Sequence, residues 1–113
     1  MKYKGAMSDY VIVCGTNRND SVSLQIASYY LEILKKSGIE AGLIDLRDLP
    51  DDFAFSALYE NAGKNEKFNP MREVMLNAKK FIFIVPEYNG SFPGVLKTFI
   101  DGLKYPNTFS NKK

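Results

Sequence analysis

Two segments of this chain gather residue types that can hold a ligand. The first is Gly15-Thr16-Asn17-Arg18-Asn19-Asp20-Ser21-Val22-Ser23, a polar stretch between an apolar run and an amphipathic one. If a strand enters it and a helix leaves it, free backbone N–H groups and the positive end of the helix dipole suit an anion there. Thr16, Ser21 and Ser23 add hydroxyl donors and Arg18 adds charge. No Gly-Lys-[Ser/Thr] occurs, so this is not a Walker loop, and the Gly-x-Gly-x-x-Gly dinucleotide fingerprint is absent. The same residues also suit an ordinary capped turn, with Asp20 or Ser21 as N-cap. The second segment is Pro86-Glu87-Tyr88-Asn89-Gly90-Ser91-Phe92-Pro93-Gly94. Its Pro and Gly residues predict a sharp turn presenting a carboxylate, a ring, an amide and backbone N–H groups close together. A planar heteroaromatic with donors and acceptors on its edge fits such a turn. So does a plain helix-initiating loop, with Ser91 as cap and Pro93 near the first helical position.

Other chemistry is excluded by what the 113 residues lack. There is no His, so a Ser-His-Asp triad, a Cys-His pair and a His-ligated zinc site are impossible within the chain. The single Cys14 forms no intrachain disulfide, argues against a thiolate metal site, and fits a reducing compartment. Inside an apolar run it reads as a small buried hydrophobe. Fifteen Lys+Arg against 13 Asp+Glu leave a net charge of +2, scattered, which gives no reason to expect a nucleic-acid partner. The longest apolar run, Phe81 to Val85, is far too short to span a bilayer, and the start of the chain does not read as a signal peptide. The expected location is the cytoplasm, with no membrane partner.

The elements that must position the two loops are legible as an alternation. Residues 1–8 read as a loose leader, in which Met7 is an alternative start. Tyr10 to Cys14 is a buried strand ended by Gly15. Ser21 to Ser37 has Leu24, Ala27, Leu31 and Leu34 on one face, flanked by Ile26, Tyr30 and Ile33, and Gly38 stops it. Tyr29 and Tyr30 read as helix packing, with one phenol reaching water. Ile39 to Leu46 is a second strand. Asp51 to Asn69 reads as a long surface loop with one helical turn near Phe55 to Glu60. Pro70 opens a helix with Met71, Val74, Met75 and Ala78 facing one way, and Lys79 and Lys80 in its last turn complement its dipole. Phe81 to Val85 is apolar throughout, as for a strand covered on both faces. Pro93 opens a last helix with Leu96, Phe99, Ile100 and Leu103 on one face, and Tyr105 to Lys113 is a polar tail. Strand–helix alternation predicts an α/β fold with a parallel sheet, whose ligands bind beyond the carboxyl ends of the strands.

Taken together, these loops resemble the NADPH-dependent FMN reductase family, of flavodoxin-like fold. The resemblance is carried by the contiguous Pro86-Glu87-Tyr88-Asn89-Gly90-Ser91-Phe92-Pro93-Gly94-Val95-Leu96-Lys97, continuing through Ile100-Asp101. Gly15-Thr16-x-Arg18-x-x-Ser21-x-Ser23 and Leu43-Ile44-Asp45-Leu46 with Asp48-Leu49-Pro50 add to it. The resemblance implies a three-layer sandwich in which residues 9–113 are the N-terminal part of one FMN-binding domain, truncated after the third strand and its following helix. It implies FMN phosphate on Thr16, Arg18, Ser21 and Ser23, and the isoalloxazine ring along Pro86, Glu87, Tyr88, Asn89 and Gly90. The flavin then takes a hydride from NAD(P)H and passes electrons to a small-molecule acceptor such as a flavin or quinone, with the protein supplying position and electrostatics. It further implies a homo-oligomer, typically a dimer. A non-catalytic flavin carrier and an inactive fragment are the other readings. Two departures stand out. Asp20 sets a carboxylate among the phosphate donors, and roughly two-fifths of the family domain would lie beyond Lys113, leaving Phe81 to Val85 as an exposed edge.

Overall fold

The computed structural model describes residues 8–113. The expected leader, Ser8 apart, and the alternative start at Met7 lie outside the described residues.

The core starts from β1 (Tyr10–Cys14), whose β-branched residues suit a strand with a layer on each side. It pairs in parallel with β2 (Ala41–Asp45) and with β3 (Lys80–Ile84), giving the order β2-β1-β3. Ile12 stands between Leu43 and Ile82 in this register. Alternation along the strands divides the core. Ile12, Cys14 and Leu43 meet α1 (Val22–Lys36) through Ala27, Leu24, Leu31 and Leu34. Val11, Val13 and Ile44 meet α3 (Asn69–Asn77) and α4 (Gly94–Asp101) through Met71, Val74, Met75, Leu96 and Phe99. The result is the expected α/β sandwich with a parallel sheet.

Several expectations need correction. Strand β2 is shorter than Ile39 to Leu46. The Ile39 N–H still closes the end of α1 on Leu34 O, and Leu46 already belongs to a 3₁₀ turn, Leu46–Asp48, capped by Asp45. The segment from Asp51 to Asn69 is not merely a surface loop. It holds a short helix, α2 (Phe53–Ser56), and a 3₁₀ turn, Tyr59–Asn61, and it buries Phe53, Ala57, Leu58 and Phe68. Phe68 sits against Phe53 at 4.5 Å and edge-on to Phe99 at 6.1 Å between ring centroids. Strand β3 is not covered on both faces and edges alike. It has a strand neighbour on one side only, so Phe81 to Ile84 are half-buried and Val85 is exposed. Ser91 does not cap α4, whose N-cap is Pro93.

The tail is not simply polar. Thr108 is fully buried and the Phe109 ring packs on Phe81 and Phe83. Lys113 donates its N–H to Lys79 O and accepts from the Phe81 N–H, two ladder bonds on the outer edge of β3. Lys112 Nζ donates to the Met75 and Leu76 carbonyls at the end of α3, and desolvation there lowers its pKa. It takes the dipole-complementing place expected for Lys79 and Lys80. Lys80 instead belongs to β3 and lies over the Tyr10 ring. Tyr29 and Tyr30 are both exposed, not packed.

The buried phenylalanines of the 51–69 segment make a sharp test. Phe68→Ala is expected to cost about 3–5 kcal/mol by urea unfolding. Phe55→Ala, at a side chain 86% exposed in the same segment, should stay within about 0.5 kcal/mol.

Candidate functional site

The carboxyl ends of all three strands open on one rim. Gly15 leaves β1 there with its N–H on Ile84 O of β3, 2.9 Å away. A Cβ at this position would sit 3.2 Å from Ile84 O and 3.3 Å from a Leu96 methyl, so the close approach favours glycine. Thr16 follows, 1% exposed. Its hydroxyl accepts the Arg18 N–H at 3.2 Å and shares a hydrogen bond with the Tyr88 phenol at 2.7 Å. The two loops singled out in the sequence therefore touch.

Ser21 is the N-cap of α1, accepting the Leu24 N–H at 3.1 Å. Of the two candidate caps it is the one used. Asp20 is exposed with φ +54°, a turn conformation that Asp tolerates. Ser23 is buried in the first turn of the helix, and Arg18, Asn17 and Asn19 are exposed. The N–H groups of Val22 and Ser23 have no carbonyl partner within their own helix. Arg18 is the one residue of this loop that presents a full positive charge at the rim.

The second loop is a tight reversal. Tyr88 and Ser91 exchange both backbone hydrogen bonds, and Asn89 and Gly90 have φ of +54° and +84°. Positive φ at both central residues is the type I′ turn that Asn-Gly favours. The Glu87 carboxylate accepts the Gly90 N–H at 2.6 Å, which braces the turn from inside. Pro86 and Tyr88 are half-buried, while Glu87, Asn89 and Gly90 are exposed.

One part of the rim was not singled out from the sequence beyond its place at the end of β2. Arg47 makes a bidentate ion pair with Asp45, at 2.7 and 3.0 Å to Oδ2. The Asp45 carboxylate raises the Arg47 pKa. Arg47 lines a cleft of about 390 Å³ with Asn17, Asn19, Phe53, Val95 and Thr98. The polar residues of this cleft have no periodic signature, and only the end-of-strand rule pointed near them. On the other side of the sheet, Cys14 lies under α1 as a free thiol, its pKa raised chiefly by burial. Among the described residues, no group of three or more His, Cys, Asp or Glu is placed to hold a metal ion, and no helix is long and apolar enough to cross a membrane.

The family model for NADPH-dependent FMN reductases matches residues 9–113. The chain belongs to the NADPH-dependent FMN reductase family. A potato (Solanum tuberosum) NAD(P)H:quinone oxidoreductase is 32% identical over 103 residues, covering 88% of this chain and 52% of the relative. An FMN-dependent NADPH-azoreductase of Staphylococcus aureus is 28% identical over 95 residues, covering 82% of this chain and 50% of the relative. Among solved structures, the apo form of an NADH:FMN oxidoreductase superposes with a TM-score of 0.71 at 26% identity, over 86% of this chain and 50% of that one. That neighbour supports the flavodoxin-like fold. The chain thus spans about half the length of the relatives it matches, against the three-fifths expected from the resemblance alone.

The capping role of Ser21 is separable from any role at the rim. Without ligand, Ser21→Ala should cost about 1 kcal/mol of stability, read from the urea midpoint.

Proposed function

We propose that this chain forms the FMN-binding part of an NAD(P)H-dependent flavin or quinone reductase, acting in the cytoplasm as a homo-oligomer. The observation that carries this reading is the contact of the two loops at the carboxyl rim of a parallel sheet, in a chain of this family. The donor set suits a phosphate monoester at one end. Arg18 supplies charge, the first N–H groups of α1 supply direction, and Ser21 and Ser23 supply hydroxyls in the same turn. It suits a flat heteroaromatic at the other end, where the Asn89-Gly90 turn offers exposed backbone and amide groups beside Pro86, Glu87 and Tyr88. Asp20 is the one group of the wrong sign. It stands exposed at the loop's edge, where water screens it.

When bound, FMN supplies the redox chemistry, taking a hydride from reduced nicotinamide and passing electrons to a small-molecule acceptor. The residues of the chain hold and orient. Arg18 and the α1 terminus anchor the anionic end, and the rigid type I′ turn fixes the plane on which a ring rests. Neither role calls for an imidazole.

The homo-oligomer is supported by the apolar stripe of Val22, Ile26, Tyr29 and Ile33, which stands exposed along α1. Apolar patches of this kind favour association.

Titration with FMN, followed by flavin fluorescence and by elution volume, tests the reading. Saturable micromolar binding by an oligomeric species is expected, with NAD(P)H oxidation in its presence. Binding without oxidation would leave a flavin carrier, and no binding would remove the reading. Arg18→Ala should weaken FMN about tenfold or more and leave riboflavin, which lacks the phosphate, unchanged. An equal loss for both ligands would place the phosphate elsewhere.

A further inference from the structure

Thr16 and Tyr88 are 72 positions apart in the chain and 2.7 Å apart at their hydroxyls. Counting protons and lone pairs shows what each is free to do. A threonine hydroxyl has one proton and two lone pairs. One lone pair of Thr16 takes the Arg18 N–H, and the Tyr88 phenol takes either the proton or the other lone pair. Thr16 is 1% exposed, whereas Tyr88 is half-buried. The pair has two hydroxyl protons, of which one lies within the mutual bond. The arrangement that strands no proton in the buried interior has Thr16 donating to Tyr88, which leaves the phenolic proton on the half-buried partner.

We propose that Thr16 is a positioning residue rather than a direct ligand of the phosphate: its buried hydroxyl holds the Tyr88 phenol, and Tyr88 is the hydroxyl that meets the bound flavin nucleotide. This rests on the FMN reading above and deepens it. The clasp joins the loop assigned to the anionic end with the loop assigned to the ring. It fixes their separation before any ligand arrives, so less ordering cost remains for binding. Arg18 is drawn into the same unit because its N–H is held by the hydroxyl that holds Tyr88.

Three variants separate this from direct contact. Thr16→Val removes the hydroxyl at nearly constant shape, Tyr88→Phe removes the phenol, and Thr16→Ser keeps a hydroxyl in place. Without ligand, hydrogen exchange at the Tyr88 and Ser91 amides should quicken several-fold in the first two and revert in the third. The amides of β1 and β2 should stay protected, which general destabilisation would not allow. Exchange unchanged in Thr16→Val overturns the clasp. With FMN, Thr16→Val should weaken binding about tenfold in the wild-type background, the loss of one hydrogen bond's worth of affinity. In the Tyr88→Phe background the further loss should be clearly smaller than tenfold, limited to what holding the Arg18 N–H brings. An equal tenfold loss in both backgrounds means that Thr16 touches the ligand itself and overturns the assignment. If the wild-type chain binds no FMN, the functional reading fails and the ligand role of Tyr88 fails with it, while the exchange data still decide the clasp.

Discussion

Strand β1 has no free direction. Its backbone is paired on both edges, with β2 and with β3, and its side chains are buried on both faces. Ile12 and Cys14 point into the layer under α1, and Val11 and Val13 point into the layer under α3 and α4. A shift of one residue would exchange these layers and put every one of these side chains against the wrong helix. The register then determines where Gly15 leaves the sheet, and Gly15 determines how closely the first loop runs past β3 and α4. The rim is built outward from that one strand.

From this scaffold the candidate site acquires stiffness without a large core of its own. Each loop is braced by hydrogen bonds on itself: Ser21 on the α1 terminus, and Glu87 on the Gly90 N–H with the Tyr88–Ser91 pair around it. The Asp45–Arg47 pair does the same for the end of β2. These contacts are part-buried or exposed, and each is worth about 1 kcal/mol in isolation. Their value is positional, because a ligand held at two ends is sensitive to the distance between its anchors.

The alternation of strands and helices was legible because each element obeys a period. The α1 residues Leu24, Ala27, Leu31 and Leu34 recur every three or four positions, and the YVIVC run holds three β-branched residues in a row, Val11 to Val13. The two loops were legible through residues with special backbone needs, Gly15, Asn89 and Gly90 above all. What was missed has no period. Phe53, Ala57, Leu58 and Phe68 enter the core from short turns, each by its own local path, so their spacing resembles that of a polar loop. Phe109 and Lys112 are held by partners thirty or so positions earlier, and nothing next to them in the chain announces it. The burial of Thr16 depends on Tyr88, far away in the sequence. In the opposite sense, the Val22, Ile26, Tyr29 and Ile33 stripe shows that apolar spacing on a helix identifies a face without saying what covers it.

Cys14 gives the molecule a built-in clock. It is the only thiol in the chain, and it sits buried at the carboxyl end of β1, beneath α1, with its pKa raised by burial. Alkylating reagents attack the thiolate, so in the native state they meet a group that is both hidden and protonated. Modification must wait until the first loop or the start of α1 lifts from the end of β1. The rate at which the chain takes up one equivalent of such a reagent therefore counts openings at the rim end of the central strand, with no engineered label and no background from a second site.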